Sequence, residues 1–244
     1  MPKLHIYNNE KETCHAFAEW VAELAKETLN KQERFTIALS GVDSPKLLYK
    51  ILAAEYTTKI DWSKVHIFFS DERMVSYPDE KNSSATTLKP LTDHLQLASD
   101  QIHLIRTDIA PEDAAKEYEN LLHSYFKDSQ KSFDLVILGI GEQGNLLSLF
   151  PNEDETNHRD AWVIPVYDKQ EDVFKVTLTV TAINAASVKT FLVTGKKKEN
   201  VVQQVLKGKY EPEKYPAQLI ITANQNVHWF LDEGSASKLI RPIS

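Results

Sequence analysis

The sequence predicts an α/β fold with a mainly parallel central sheet. Three observations lead there. Strand-like and helix-like stretches alternate along most of the chain. The strands are short, unbroken apolar runs such as Phe35–Leu39, Val65–Phe69 and residues 133–138, the pattern of strands covered on both faces by helices. The composition, 42% hydrophobic and 26% charged over 244 residues, belongs to a chain able to bury a substantial core. No internal repeat, low-complexity segment or linker is visible, so residues 1–244 read as one domain.

In chain order, residues 4–7 form a first strand. Residues 11–29 carry Phe17, Trp20, Val21, Leu24 and Ala25 at helical spacing, with polar residues between. Strand Phe35–Leu39 leads through a turn to a helix opening at Pro45. Strand Val65–Phe69 is followed by a polar loop reaching to about residue 84, and residues 101–105 form the next strand. Pro111–Phe126 is a helix whose early Glu112 and Asp113 suit the positive end of its dipole. Residues 133–138 are the plainest strand; 162–167, 175–180, 190–194 and 227–231 follow as further strands, and 198–206 as a helix. The run Lys196-Lys197-Lys198 reads as a solvated helix start.

Composition also excludes functions. The net charge is −7, so no basic footprint exists to neutralise nucleic-acid phosphates. The single cysteine, Cys14, rules out an intramolecular disulfide and a cysteine-based metal site, and reads as a small packed residue. The N-terminal residues lack a secretory apolar core, and no apolar run approaches the roughly 18 residues a membrane span needs. The expectation is a cytoplasmic protein with no membrane or nucleic-acid partner. Glycine is scarce, at 7 residues, yet Gly139, Gly141 and Gly144 fall close together.

Ligands of open parallel sheets bind beyond the carboxyl ends of the strands. Three loops there carry chemistry. In Leu39-Ser40-Gly41-Val42-Asp43-Ser44-Pro45-Lys46, Ser44 suits a helix N-cap and Pro45 the first helical position. This is either an anion cradle or a plain strand-to-helix turn. Ser70-Asp71-Glu72-Arg73 places three charges at a strand's end, either for function or as a local arginine–carboxylate pair. The third, Gly139-Ile140-Gly141-Glu142-Gln143-Gly144-Asn145, contains a literal G-x-G-x-x-G after a strand, with Asp168 at a suggestive distance. A dinucleotide site is nevertheless rejected. Pro151 ends any helix about two turns after Gly144, a polar stretch follows, and the motif lies mid-chain.

Together these loops resemble the 6-phosphogluconolactonase family and, more distantly, glucosamine-6-phosphate deaminase. The family patterns are L-S-G-G-S-T/S-P, a strand ending in D-E-R, and F-D-L-V-L-L-G-M-G-x-D-G-H-x-x-S-L-F-P. Residues 133–141 match the last nearly intact, and Ser148-Leu149-Phe150-Pro151 closes it. Asp61-Trp62-Ser63-Lys64-Val65, Lys175-Val176-Thr177-Leu178-Thr179, Gly195 with Lys198, Tyr215-Pro216-Ala217-Gln218 and His228-Trp229-Phe230-Leu231-Asp232 extend the resemblance in order along nearly the whole chain. It implies a Rossmann-like three-layer fold that hydrolyses 6-phosphoglucono-1,5-lactone in the pentose phosphate pathway without a cofactor or metal. The D-G-H histidine would be general base toward water. The first loop and basic side chains would hold the phosphate, which assigns Ser40, Gly41, Val42, Asp43, Ser44, Arg73, Lys175 and Lys198 to substrate binding.

The chain departs from the family at the reacting centre. Asn145 stands at the histidine and Gln143 at the aspartate, so neither side chain can accept the water's proton. Val42 replaces a glycine, and Asp43 either repels a phosphate or caps the helix beside Ser44. Asn82 and Ser83 stand where the family has a serine–asparagine pair, Ser70 replaces a glycine, and Lys175 replaces an arginine with its bidentate fork. Asp71, Glu72, Arg73 and Lys198 survive, Asp71 and Arg73 as catalytic candidates. His158, in the polar stretch after Pro151, is a substitute base only if that loop swings inward. Three readings follow. The chain has the family's fold with lactonase chemistry weak or lost and a sugar phosphate or related small anion as ligand. Alternatively it is an active lactonase working through its surviving charges, or an interaction module that needs no small ligand.

Overall fold

The computed structural model describes residues 2–41, 45–77, 79–127, 131–151, 160–223 and 226–240. The chain opens with β1 (Lys3–Tyr7), α1 (Glu10–Leu29), β2 (Phe35–Leu39), α2 (Pro45–Glu55), β3 (Val65–Phe69) and β4 (Asp71–Arg73). It continues with α3 (Ser83–Thr92), β5 (Ile102–His103), α4 (Pro111–Phe126), β6 (Leu135–Leu138), β7 (Val163–Asp168) and β8 (Val173–Leu178). α5 (Val180–Asn184), β9 (Val188–Val193), α6 (Glu199–Lys207), α7 (Ala217–Ala223), β10 (Val227–Asp232) and α8 (Ser237–Ile240) complete it.

Seven strands form a parallel sheet in the order β1-β10-β9-β6-β2-β3-β5. Every residue of β2, β6, β9 and β10 is buried, so these strands are predominantly apolar, with Thr36, Lys189, Thr190, His228 and Asp232 as buried polar exceptions. Asn9 caps α1 by accepting the Glu12 N–H at 3.0 Å, and the helix packs Cys14, Phe17 and Val21 inward. Burial pushes the Cys14 thiol up to about 12, consistent with a packed residue and not with a nucleophile. Among the described residues no helix is long and apolar enough to cross a membrane.

The winding of the sheet positions the site. From β2 the chain runs outward through β3 to β5, then returns to β6 on the other side of β2. The order therefore reverses between β2 and β6, and their carboxyl-end loops diverge there. Such a reversal opens a crevice in a doubly wound sheet.

Several expected elements differ. Residues 162–167 and 175–180 do not extend the parallel sheet. They become β7 and β8, which pair antiparallel as a hairpin, and β8 pairs with β4 in a second, three-stranded sheet. Val180 leaves the strand because Thr179 caps α5 with its side chain, 3.3 Å from the Ala182 N–H. The polar loop expected up to residue 84 contains β4, and α3 begins at Ser83 under an Asn82 cap. The strand at 101–105 shrinks to Ile102–His103, and β9 starts early, at Val188. α7 and α8 were not anticipated. No helix follows Gly144 as far as Pro151, so the dinucleotide motif lacks its helix here.

Candidate functional site

A cleft of about 1170 Å³ opens at the carboxyl ends of β2, β3 and β6, with the β7–β8 hairpin along one side. Among the described residues seven basic and five acidic side chains line it, an excess of positive charge in a chain of net charge −7. Gly41, Asp71, Arg73, Gln143, Asn145, Lys175 and Lys198 are brought together in this one cavity. Ser40 lies fully buried beneath it, its carbonyl accepting the Tyr49 hydroxyl at 3.0 Å. Val42, Asp43, Ser44 and His158 lie outside the described residues.

The acidic loop after β3 divides its roles. Asp71 faces the cleft and accepts the Ser148 hydroxyl at 3.0 Å and the Ser70 hydroxyl at 3.4 Å. Burial pushes its carboxyl up, against those hydrogen bonds and the charges of Lys175 and Arg73. Glu72 points the other way and is 1% exposed. It accepts the backbone N–H groups of Ser83 at 2.6 Å, Ser84 at 2.7 Å and Arg73 at 2.8 Å, and also the Ser84 hydroxyl. A carboxylate on the first N–H groups of α3 anchors that helix to β4. Glu72 thus builds the wall that carries Ser83 and does no chemistry in the cleft.

The loop after β6 is closed by its own backbone. The Gly141 N–H donates to Asn145 O at 2.9 Å, and the Gly144 N–H to Gly141 O at 3.0 Å. Gly144 has φ +98, a conformation that side chains resist. Asn145 folds its amide over Gly141, where a Cβ would meet Oδ1 at 1.7 Å. Lys198 donates to the Ile140 carbonyl at 2.7 Å, so it holds this loop in place. Leu147, at φ 53, turns the chain so that Ser148 reaches Asp71. Gln143 is exposed and accepts from the Gln170 amide at 3.3 Å, which joins the loop to the hairpin tip.

The hairpin supplies residues that the sequence reading did not assign to the site. Asp168, 3% exposed, accepts the Lys175 ammonium at 2.7 Å and the backbone N–H groups of Gln170 at 2.9 Å and Glu171 at 3.1 Å. Burial works to raise Asp168, but these donors outweigh it and hold the carboxyl below its usual range. Glu171 takes Arg73 as a fork, 2.6 Å from Nε and 2.9 Å from Nη2, and accepts Lys175 at 3.1 Å. Arg73, with Lys175 behind it, holds the Glu171 carboxyl down at about 2. Lys46 and Lys214 add further cations to the lining. Two strand-like runs separated by Lys169-Gln170-Glu171-Asp172 form a hairpin signal, and that signal could have brought Glu171 to the cleft.

Fold and site define a Rossmann-like α/β protein with a ligand-sized, cation-rich cleft at the switch point of its sheet. The family model described as Glucosamine-6-phosphate isomerases/6-phosphogluconolactonase matches residues 8–229. A 6-phosphogluconolactonase of Nostoc sp. is 35% identical over 217 residues, covering 86% of this chain and 87% of the relative. That of Aggregatibacter actinomycetemcomitans is 33% identical over 204 residues, covering 83% and 87%. A solved structure of 6-phosphogluconolactonase from Trypanosoma brucei shares the fold with a TM-score of 0.86 at 23% identity, over 98% of this chain and 99% of that one. The chain belongs to the glucosamine-6-phosphate isomerase/6-phosphogluconolactonase family, and its likeness to the lactonases runs over most of its length.

Proposed function

We propose that the protein binds a sugar phosphate in this cleft and that its hydrolysis of 6-phosphoglucono-1,5-lactone is weak or lost. One observation carries the reading: Asn145 occupies the position where the family resemblance places the general base and Gln143 that of its aspartate, and both face the cleft. Hydrolysis of a lactone requires water to lose a proton as it attacks the ring carbonyl. The amide of Asn145 has no nitrogen that titrates near neutral pH, so it can orient water but cannot take that proton. Losing a general base costs on the order of 10²–10⁴ in rate. Ligand binding asks less of the site. Arg73, Lys175 and Lys198 remain in the lining, and the scaffold of the third loop is intact.

The test pairs binding with turnover. 6-Phosphogluconate should raise the melting temperature in a saturable manner, because a ligand of the native state stabilises it. The same preparation should hydrolyse the lactone little faster than buffer does. Turnover at ordinary enzyme rates overturns the loss of chemistry, and absence of any stabilisation overturns the sugar-phosphate ligand.

Residual lactonase activity is a second reading, and Asp71 favours it. Its carboxyl lines the cleft and is raised by burial, the direction in which a carboxylate becomes a stronger base. If turnover is found, Asp71→Asn should abolish it; activity that survives this change removes Asp71 from the reaction.

A further inference from the structure

A carboxylate of the chain itself already engages the cleft's anion-binding groups. Glu171 uses both oxygens on Arg73, and one of them also on Lys175. Parallel N–H donors of a guanidinium are the geometry that recognises a phosphate, so a bound phosphate would ask for the same donors. We propose that Glu171 is a tethered competitor, which fills the Arg73 fork when no ligand is bound and sets the affinity for the ligand's phosphate. The proposal rests on the sugar-phosphate reading above.

The surroundings suit displacement. Glu171 sits on the hairpin between β7 and β8, and its side chain is 43% exposed, so it can leave for water without moving a strand. Its departure orphans no buried charge, because Lys175 keeps Asp168 at 2.7 Å. Arg73 keeps Ser83, whose hydroxyl accepts from Nη1 at 3.2 Å. A phosphate monoester brings nearly two negative charges and three acceptor oxygens, enough to span Arg73 and Lys175 together. A site that is free in only a fraction of molecules binds more weakly by that fraction. An ion pair of this exposure, at the strong end because it is bidentate, leaves the fork vacant in roughly one molecule in six, so its removal should tighten phosphate binding about sixfold.

The experiment is a calorimetric titration of the full chain and of Glu171→Gln with 6-phosphogluconate and with inorganic phosphate, at fixed ionic strength. The expected result is tightening by about sixfold for both probes in the variant, with the melting temperature little changed. A second comparison adds Arg73→Met to each protein. Without the fork, Glu171→Gln should bring a clearly smaller gain, since it then releases Lys175 alone. If the two proteins bind 6-phosphogluconate equally, Glu171 does not compete, while the sugar-phosphate reading stands. A gain of undiminished size without Arg73 also overturns the proposal, since it marks a general charge effect. If neither protein binds 6-phosphogluconate, both readings fall.

Discussion

Replacing Glu72 by glutamine separates architecture from chemistry within the charged triplet Asp71-Glu72-Arg73. In the native protein one carboxylate oxygen accepts the N–H groups of Arg73 and Ser83, and the other accepts the N–H and hydroxyl of Ser84. Glutamine keeps one of these oxygens and turns an NH2 toward the other donors. The Ser84 hydroxyl can still donate to Asn82, 2.9 Å away, but at least one buried N–H of the first turn of α3 loses its acceptor. That orphan costs about 1–3 kcal/mol, and loss of the charge at the helix N-terminus about 1 more. The sum, roughly 2–4 kcal/mol, should lower the melting temperature of a chain of this size by about 5–15 °C. Thermal and urea unfolding of the two proteins, followed by circular dichroism, measure it. An unchanged melting temperature would refute the claim that Glu72 anchors α3.

Other perturbations follow from the same geometry. Asp168→Asn leaves Lys175, whose side chain is 9% exposed, with Glu171 as its remaining acidic partner, and should destabilise by about 3 kcal/mol in urea unfolding. Because Asp168 titrates below its usual range, the native pair contributes stability above the unfolded value near pH 4 and loses it as pH falls through the folded value; the variant should lack that acid limb. Burial lowers His103 and His228 from 6.5 to about 4, so between those pH values the unfolded chain binds protons that the folded chain refuses. Stability should fall from pH 6.5 to 4 by about 2 kcal/mol per histidine, allowing for partial exposure, and His103→Phe should flatten part of that slope. Gly144→Ala forces a Cβ to within 2.9 Å of the Lys214 carbonyl at φ +98, and should lower stability by about 1–2 kcal/mol in the same unfolding assay.

The centre of the parallel sheet is legible because its inner strands are buried on both faces. Phe35–Leu39 and Val65–Phe69 have the observed limits, since apolar periodicity and burial are the same fact seen twice. The small antiparallel sheet is not. β4 is Asp-Glu-Arg, three charged residues with no apolar signal, and its strand character comes wholly from pairing with β8. The cleft was readable loop by loop through the family resemblance, which located Asp71, Arg73, Gln143 and Asn145 but gave no partners. Glu72 lies among the charges of the site loop, yet its donors lie eleven and twelve residues on, in the first turn of α3, where the sequence shows only a polar loop. Glu171 was passed over because a glutamate in a polar turn carries no local signal. Its role arises 98 residues from Arg73, where the hairpin folds back over the carboxyl end of β3.

The central claim is that an intact cleft has lost its proton acceptor. The most direct measurement is lactone hydrolysis by the native protein beside Gln143→Asp/Asn145→His, with and without Val42→Gly/Asp43→Ser, all corrected for the spontaneous reaction. The account predicts a native rate close to background and a gain on the order of 10²–10⁴ when the base is restored. A native protein that turns over at the usual enzyme rate of about 10 s⁻¹ would contradict it.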